Sequence, residues 1–240
     1  MDYDLTVIVP VYNEQGTILK LLEKLVFAPA LLSRRVQYVV VDDGSTDGTA
    51  DLLKNSVYAN NCRFIFLSHN KNQGKGTAIR TGLIKTSGKY TIIQDADLEY
   101  EPNDIALLLN HAEKNNLKTV FGSRNLNSQN KKGTFAFYWG GKTISWLTNL
   151  LFGQNLTDEP TCYKLVRTDV LKSLPLTCRR FEFCPEVTAF LSNEGIKIPE
   201  LPISYFPRGR GEGKKIGFLD WFEAVWILSR LKIKMTCSKV

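Results

Sequence analysis

The chain has 240 residues, 43% of them hydrophobic, enough for one sizeable domain or two small ones around a packed core. Its 31 Lys and Arg against 24 Asp and Glu give a formal net charge of +7, which fits an anionic substrate, an anionic membrane surface or nucleic acid without choosing among them. Five cysteines with no CxxC pair argue against a disulfide framework or a zinc site, and for a reducing cytoplasm.

In chain order, β-branched or aromatic runs at 5–11, 36–41, 63–67, 90–94 and 119–121 predict strands, and 15–27, 47–58, 75–86 and 103–115 predict the helices between them. Alternation of this kind, with near-continuously apolar strands, predicts a mostly parallel sheet covered on both faces. Ligands of such sheets sit at the carboxyl ends of the strands. The segments there are PVYNE (10–14), DDGSTDGT (42–49), SHNKNQGKG (68–76) and QDADLEY (94–100), and all four should crowd one edge. The second half is less regular. Residues 125–133 read as a mobile loop, 133–153 are rich in aromatics and nearly free of charge, 207–215 form a Gly-rich basic loop, and 217–234 read as a helix with wide apolar coverage. No apolar stretch reaches the ~18–20 residues of a bilayer span, and the N-terminus enters a strand without a signal-peptide pattern.

The acids of 94–100 carry the most chemistry. In an extended segment, positions i and i+2 share a side, so Asp95, Asp97 and Glu99 could converge. Convergent carboxylates stay ionised cheaply only around a cation, and hard oxygens suit Mg²⁺ or Mn²⁺ bridging to substrate phosphates. The alternative is a solvated acidic turn before the helix at 103. In DDGSTDGT, Asp47 is an N-cap candidate, Gly44 and Gly48 permit tight turns, and Asp42 could accept hydrogen bonds from a base or ribose. NQGKG lacks the Walker A spacing, though glycines before a helix offer free N–H groups. His69 and His111 sit in no ligand-spaced cluster.

Taken together, Pro10-Val11-Tyr12-Asn13-Glu14, Asp42 to Thr49, Asn72 to Gly76 and Asp95-Ala96-Asp97, each after a strand, resemble the family-2 glycosyltransferases of the GT-A fold. Gly122-Ser123-Arg124, Asp158 to Lys164, Phe181 to Glu186, Glu200 to Ile203 and Arg208 to Lys215 are similar to the dolichyl- and polyprenyl-phosphate mannosyl- and glucosyltransferases. The resemblance implies a metal-dependent, inverting enzyme on a nucleotide-diphospho-sugar (Rossmann-like) α/β fold, moving a sugar from a UDP- or GDP-sugar to a polyprenyl phosphate. It places Pro10, Tyr12, Glu14, Asp42, Asp43 and Lys75 on the donor, Asp95 near ribose and diphosphate, and Asp97 with Glu99 on Mg²⁺ or Mn²⁺. Arg124, Arg208 and Lys214 would neutralise phosphate charge, with Arg210 and Lys215 close by. An Arg that this branch carries four before Ser145 is Gly141 here, so acceptor phosphate binding would be weaker or use Lys142, with Ser145 a weaker acceptor candidate. A sugar hydroxyl acceptor would instead need a base, for which Asp158 and Glu186 are candidates.

This reading makes 1–215 the catalytic domain and 216–240 a basic, aromatic helix for a membrane interface, a core or a dimer face. The enzyme would work peripherally at the cytoplasmic face of a membrane. Rivals are transfer to a glycan hydroxyl, a nucleotidyltransferase, and a membrane- or partner-binding module with an inactive fold. No nucleic-acid reader motif is present.

Overall fold

The computed structural model describes residues 3–131, 135–208 and 218–237, with side chains at 135–137 and 218–220 left aside. The chain runs β1 (Tyr3–Val11), α1 (Ile18–Val26), β2 (Val36–Asp42), α2 (Thr49–Lys54), β3 (Phe64–Ser68), α3 (Lys75–Ile84), β4 (Gly88–Ile93), α4 (Asn103–Lys114) and β5 (Thr119–Ser123). It continues through α5 (Phe135–Phe152), β6 (Lys164–Arg167), α6 (Thr168–Ser173), α7 (Phe183–Asn193), β7 (Glu200–Pro202) and α8 (Phe218–Cys237).

The seven strands form one sheet in the order β3-β2-β1-β4-β6-β5-β7. β1 pairs in parallel with β2, Leu5 opposite Val36, and with β4, Val7 opposite Ile92. Every residue of β2 and residues 5–11 of β1 are buried, as strands with helices on both faces must be. α1 buries Ile18, Leu21, Leu22 and Leu25, the single stripe that a 3.6-residue period puts on one face. α3 lies tight on the sheet because of Gly82. A Cβ there would sit 2.8 Å from Ile8 Cγ2 and 3.2 Å from Val41 Cγ2.

The five expected strands and the parallel first half are present, but the structure adds two strands that the pattern did not mark and shortens one helix. β4 and β5 are not neighbours. The short strand β6, sequence KLVR, runs antiparallel between them, with Thr91 opposite Val166 and Val120 opposite Leu165. β7 then adds to the far side of β5 in parallel. The helix expected over 47–58 is only the six residues of α2. The expected C-terminal helix is α8, which packs with α5 and α7.

Candidate active site

At the carboxyl end of β1 and β2, side chains stitch the two post-strand segments together. Asn13 adopts φ 51°, and its Oδ1 accepts from Thr46 N at 2.8 Å, while Ser45 Oγ accepts from Asn13 N at 3.0 Å. Glu14 N donates to Thr49 Oγ1 at 3.0 Å. Asp47 accepts from Gln15 N and Thr49 N, but the N-cap of α2 is Gly48, φ 90°, so Asp47 holds the first turn from one residue before the cap position expected of it. Asp42 is buried and accepts from Ser45 Oγ at 2.5 Å. Pro10 lies in β1 opposite Val41, and Tyr12 is half-buried just beyond the strand.

Asp43 has a different task from its neighbour. Its carboxylate accepts from Gln73 N at 2.9 Å and Gly74 N at 2.7 Å, and lies 2.7 Å from His69 Nδ1. His69, which no motif singled out, bridges on to Thr81 Oγ1 at 2.9 Å. The NQGKG loop is thereby hung from the end of β2. Gly74 takes φ 97°, and a Cβ on it would fall 2.3 Å from Arg179 O, so the loop reaches the 177–180 segment only with glycine.

The loop delivers Lys75 to Asp95, Nζ to Oδ1 2.5 Å, with Cys162 Sγ at 3.4 Å and the Phe181 ring at 5.7 Å. Burial works against the Lys75 charge, but Asp95 outweighs it and holds the ammonium well above its ordinary pKa. The acids themselves are not on an extended face. The chain turns at Leu98, φ 63°, and Glu99 N donates back to Asp97 Oδ1 at 3.1 Å. They converge through this turn. Burial, then the charges of Asp95 and Glu99, push Asp97 up to about 7.

Arg208 reaches into this acidic group. Its guanidinium lies 3.2 Å from Asp97 Oδ2, 3.5 Å from Glu14 Oε2 and 3.9 Å from Glu99 Oε1. Glu99, expected as a metal ligand, has both oxygens engaged: Oε1 accepts from Arg208 N at 2.8 Å, and Oε2 accepts from Tyr205 O–H at 2.6 Å. Among the described residues, Glu14, Asp95, Asp97 and Glu99 face Lys75 and Arg208, a surplus of negative charge. No cluster of three or more His, Cys, Asp or Glu among them is arranged to hold a metal alone. The site fits a divalent ion only as Mg²⁺ and Mn²⁺ are commonly held, by one or two carboxylates with substrate phosphates completing the shell.

The other expected residues are distributed over several anchors. Arg124 and Asp158 form a two-pronged pair, Nε–Oδ2 2.7 Å and Nη2–Oδ1 2.7 Å, and Arg124 N donates to the same carboxylate at 2.9 Å. Burial alone would raise Asp158, but the Arg124 charge holds it below the usual carboxylate range. Glu200 receives Thr157 N at 2.6 Å and Asp158 N at 3.1 Å. Glu186 accepts from Thr177 N and Cys178 N, and Glu182 from Arg179 N and Arg180 N, fixing the segment that meets Gly74. Ser145 Oγ is buried and accepts from Glu159 N at 2.8 Å. Lys142 lies 5.8 Å from the Tyr138 ring centroid. Lys214, Arg210 and Lys215 fall outside the described residues. Tyr205 carried no spacing signal that could have marked it in advance, and Cys162 and His69 lay inside marked segments without being singled out for a role.

The profile of glycosyl transferase family 2 matches residues 6–174. The undecaprenyl-phosphate 4-deoxy-4-formamido-L-arabinose transferase of Edwardsiella ictaluri is 27% identical over 209 residues, 87% of this chain. The chain spans 62% of that relative's length. Mannosyl-3-phosphoglycerate synthase from Rubrobacter xylanophilus superposes with a TM-score of 0.70 at 15% identity, over 99% of this chain and 75% of that one. Glucosyl-3-phosphoglycerate synthase from Mycobacterium tuberculosis, solved with Mn²⁺, UDP and glucosyl-3-phosphoglycerate, gives 0.63 at 19% identity, over 98% and 79% of the two chains. These structural likenesses speak for the fold.

Proposed function

The chain belongs to glycosyl transferase family 2, a glycosyltransferase of the GT-A fold, and from that premise we propose that it transfers a sugar from a UDP- or GDP-sugar to a polyprenyl phosphate, with inversion and with Mg²⁺ or Mn²⁺. One observation carries the choice of acceptor. The carboxylates that a sugar hydroxyl would recruit as base are committed elsewhere, Asp158 to Arg124 and Glu186 to the amides of 177–178. A phosphate oxygen is already anionic at neutral pH and attacks without a base. The Edwardsiella relative, named for transfer to undecaprenyl phosphate, supports the same acceptor class.

Pro10, Tyr12, Glu14 and Asp42 would hold the nucleoside at the ends of β1 and β2, with Asp43 fixing the loop that presents Lys75. Asp95 and Lys75 would sit by ribose and diphosphate. Asp97 is assigned to the metal, and Glu99 to holding Tyr205 and Arg208 in reach of it. When bound, the ion supplies Lewis-acid stabilisation of the leaving diphosphate. Arg208 would transfer from the carboxylates to the phosphates as these arrive, and Lys214 is assigned to the same phosphate charge, because two anionic substrates must be brought together. Arg124 acts one step back, shaping the acceptor side through Asp158; Lys142 of α5 is assigned to the same side, with Ser145 holding the Glu159 backbone behind it. No helix among the described residues is long and apolar enough to cross a membrane. We place the enzyme peripherally at the cytoplasmic face, with 1–215 as catalytic domain and 216–240 as its membrane-facing helix.

The test is a radiolabelled transfer assay with UDP- and GDP-sugars, Mg²⁺ or Mn²⁺, and polyprenyl phosphate in detergent. Label in the organic phase is the expected result and names the donor. Donor turnover onto a soluble glycan, with none onto the lipid, overturns the acceptor assignment.

A further inference from the structure

Outside the catalytic cleft, the most unusual surface lies on α5 and α8. The two helices run side by side in the same direction, since Trp221 Nε1 donates to Thr143 Oγ1 at 2.9 Å and Lys232 Nζ lies 5.6 Å from the Phe152 ring. On α5, Trp139, Trp146 and Leu150 follow i, i+7, i+11 and are exposed; on α8, Phe222, Trp226 and Ile233 follow i, i+4, i+11 and are exposed. Trp146 and Trp226 keep 64% and 65% of their surface and sit at similar heights along the pair. At about 100° per residue, the α5 stripe lies about 70° to one side of the α8 contact, and the α8 stripe about 120° to the other side of the α5 contact. The opposed rotations bring both stripes to the same side of the helix pair, as one face.

The charges around that face are mainly basic; the acid Glu223, seven residues before Arg230 and so on the same side of α8, stands at its N-terminal end. α5 contains no acid, and α8 contains none after Glu223. Lys142 stands beside the Trp139–Trp146 stripe, and Arg230 and Lys232 flank the Trp226–Ile233 stripe. Tryptophans with aliphatic neighbours, bordered by lysine and arginine, match the boundary between anionic headgroups and acyl chains. A second protein copy would meet the same positive charge on its own face, which a symmetric contact would have to bury against itself. The face also adjoins the acceptor side: Ser145 of α5 holds the backbone of Glu159, next to Asp158, and α8 follows the segment carrying Arg208.

We propose that the α5–α8 face docks flat on an anionic phospholipid bilayer, so that a lipid acceptor enters the site from the membrane plane. This rests on the lipid-phosphate reading and names the surface through which it would operate.

The test uses the full chain with vesicles of phosphatidylglycerol and phosphatidylcholine, or of phosphatidylcholine alone, and no polyprenyl phosphate or donor. The expected result is co-sedimentation with the anionic vesicles, a blue shift of tryptophan emission, and weakening with salt. The double variant Trp146→Ser/Trp226→Ser should lose binding by about tenfold or more, and Arg230→Glu/Lys232→Glu should lose the preference for anionic lipid. Circular dichroism and donor binding serve as fold controls, since none of these four side chains touches the cleft. Wild-type protein that stays in the supernatant, or variants that sediment like wild type, overturn the proposal. So does self-association that the double tryptophan variant abolishes, which gives the face to a second copy. Lipid-linked product in detergent together with absent vesicle binding would defeat this inference and leave the acceptor assignment standing.

Discussion

Asp158→Asn separates the two acceptor chemistries. The side chain of Asp158 is 3% exposed and that of Arg124 is 23% exposed, joined by two 2.7 Å hydrogen bonds. Removing one partner of a buried ion pair costs about 3–5 kcal/mol, and the partial exposure of Arg124 puts this pair near 3. In a protein of this size 1 kcal/mol corresponds to about 2–4 °C in Tm, so the variant should melt roughly 6–12 °C lower. Transfer per folded molecule, assayed well below that melting point, should fall by less than about tenfold, because an anionic acceptor needs no proton removed. Replacing both partners, Arg124→Met with Asp158→Leu, should recover much of the lost stability, since no charge is then left buried alone. Thermal melts by circular dichroism and the organic-phase transfer assay give both quantities. An Asp158→Asn protein that melts like wild type yet loses transfer by about a hundredfold or more would make Asp158 a general base and refute the argument.

Three further outcomes follow from the cleft. Asp97 has its pKa raised to about 7, so between about pH 4 and 7 the folded chain binds a proton more tightly than the unfolded one. Stability should therefore decline as pH rises through that window; Asp97→Asn should flatten the slope in denaturant titrations and abolish transfer, and an unchanged slope or normal turnover would sink the assignment. Gly74→Ala forces a Cβ to 2.3 Å from Arg179 O at φ 97°, so chemical denaturation should show a loss of about 2 kcal/mol or more together with weaker donor binding. A variant as stable as wild type would show that the loop has room to move. Lys75→Met leaves Asp95 without its cation, and donor affinity measured by calorimetry should drop by about tenfold or more as the diphosphate meets an unscreened carboxylate; equal affinity would remove Lys75 from the donor site.

The first half of the fold was legible because its signals are local. Runs such as VQYVVV bury both faces, so composition alone marks the strand, and the polar segments behind each strand lie at one edge because parallel strands all end there. β6 was not legible. KLVR is four residues long and opens with a lysine, and it is held by its antiparallel neighbours rather than by its own pattern. In the cleft, residue types were read correctly as acids and bases, but not which of them face each other. Asp42 and Asp43 are adjacent in sequence and both buried, yet one closes on Ser45 while the other carries the 73–74 amides. Asp95, Asp97 and Glu99 were placed together by a strand-like alternation, whereas a left-handed Leu98 performs the convergence. Pairings such as Arg124 with Asp158 depend on chain reversals that no spacing encodes.

The position of β6 has a consequence for how the protein is made. β1 to β4 bond to one another, so the parallel half of the sheet is complete once Ile93 has left the ribosome. β5 ends at Ser123, but both strands that hydrogen-bond to it, β6 and β7, are synthesised later, the first beginning at Lys164. Through that interval an apolar strand waits with both edges unpaired, the state in which nascent chains are most open to aggregation and to chaperone capture. A ribosome pause placed before residue 164 should prolong that exposure, and one placed after β7 should not.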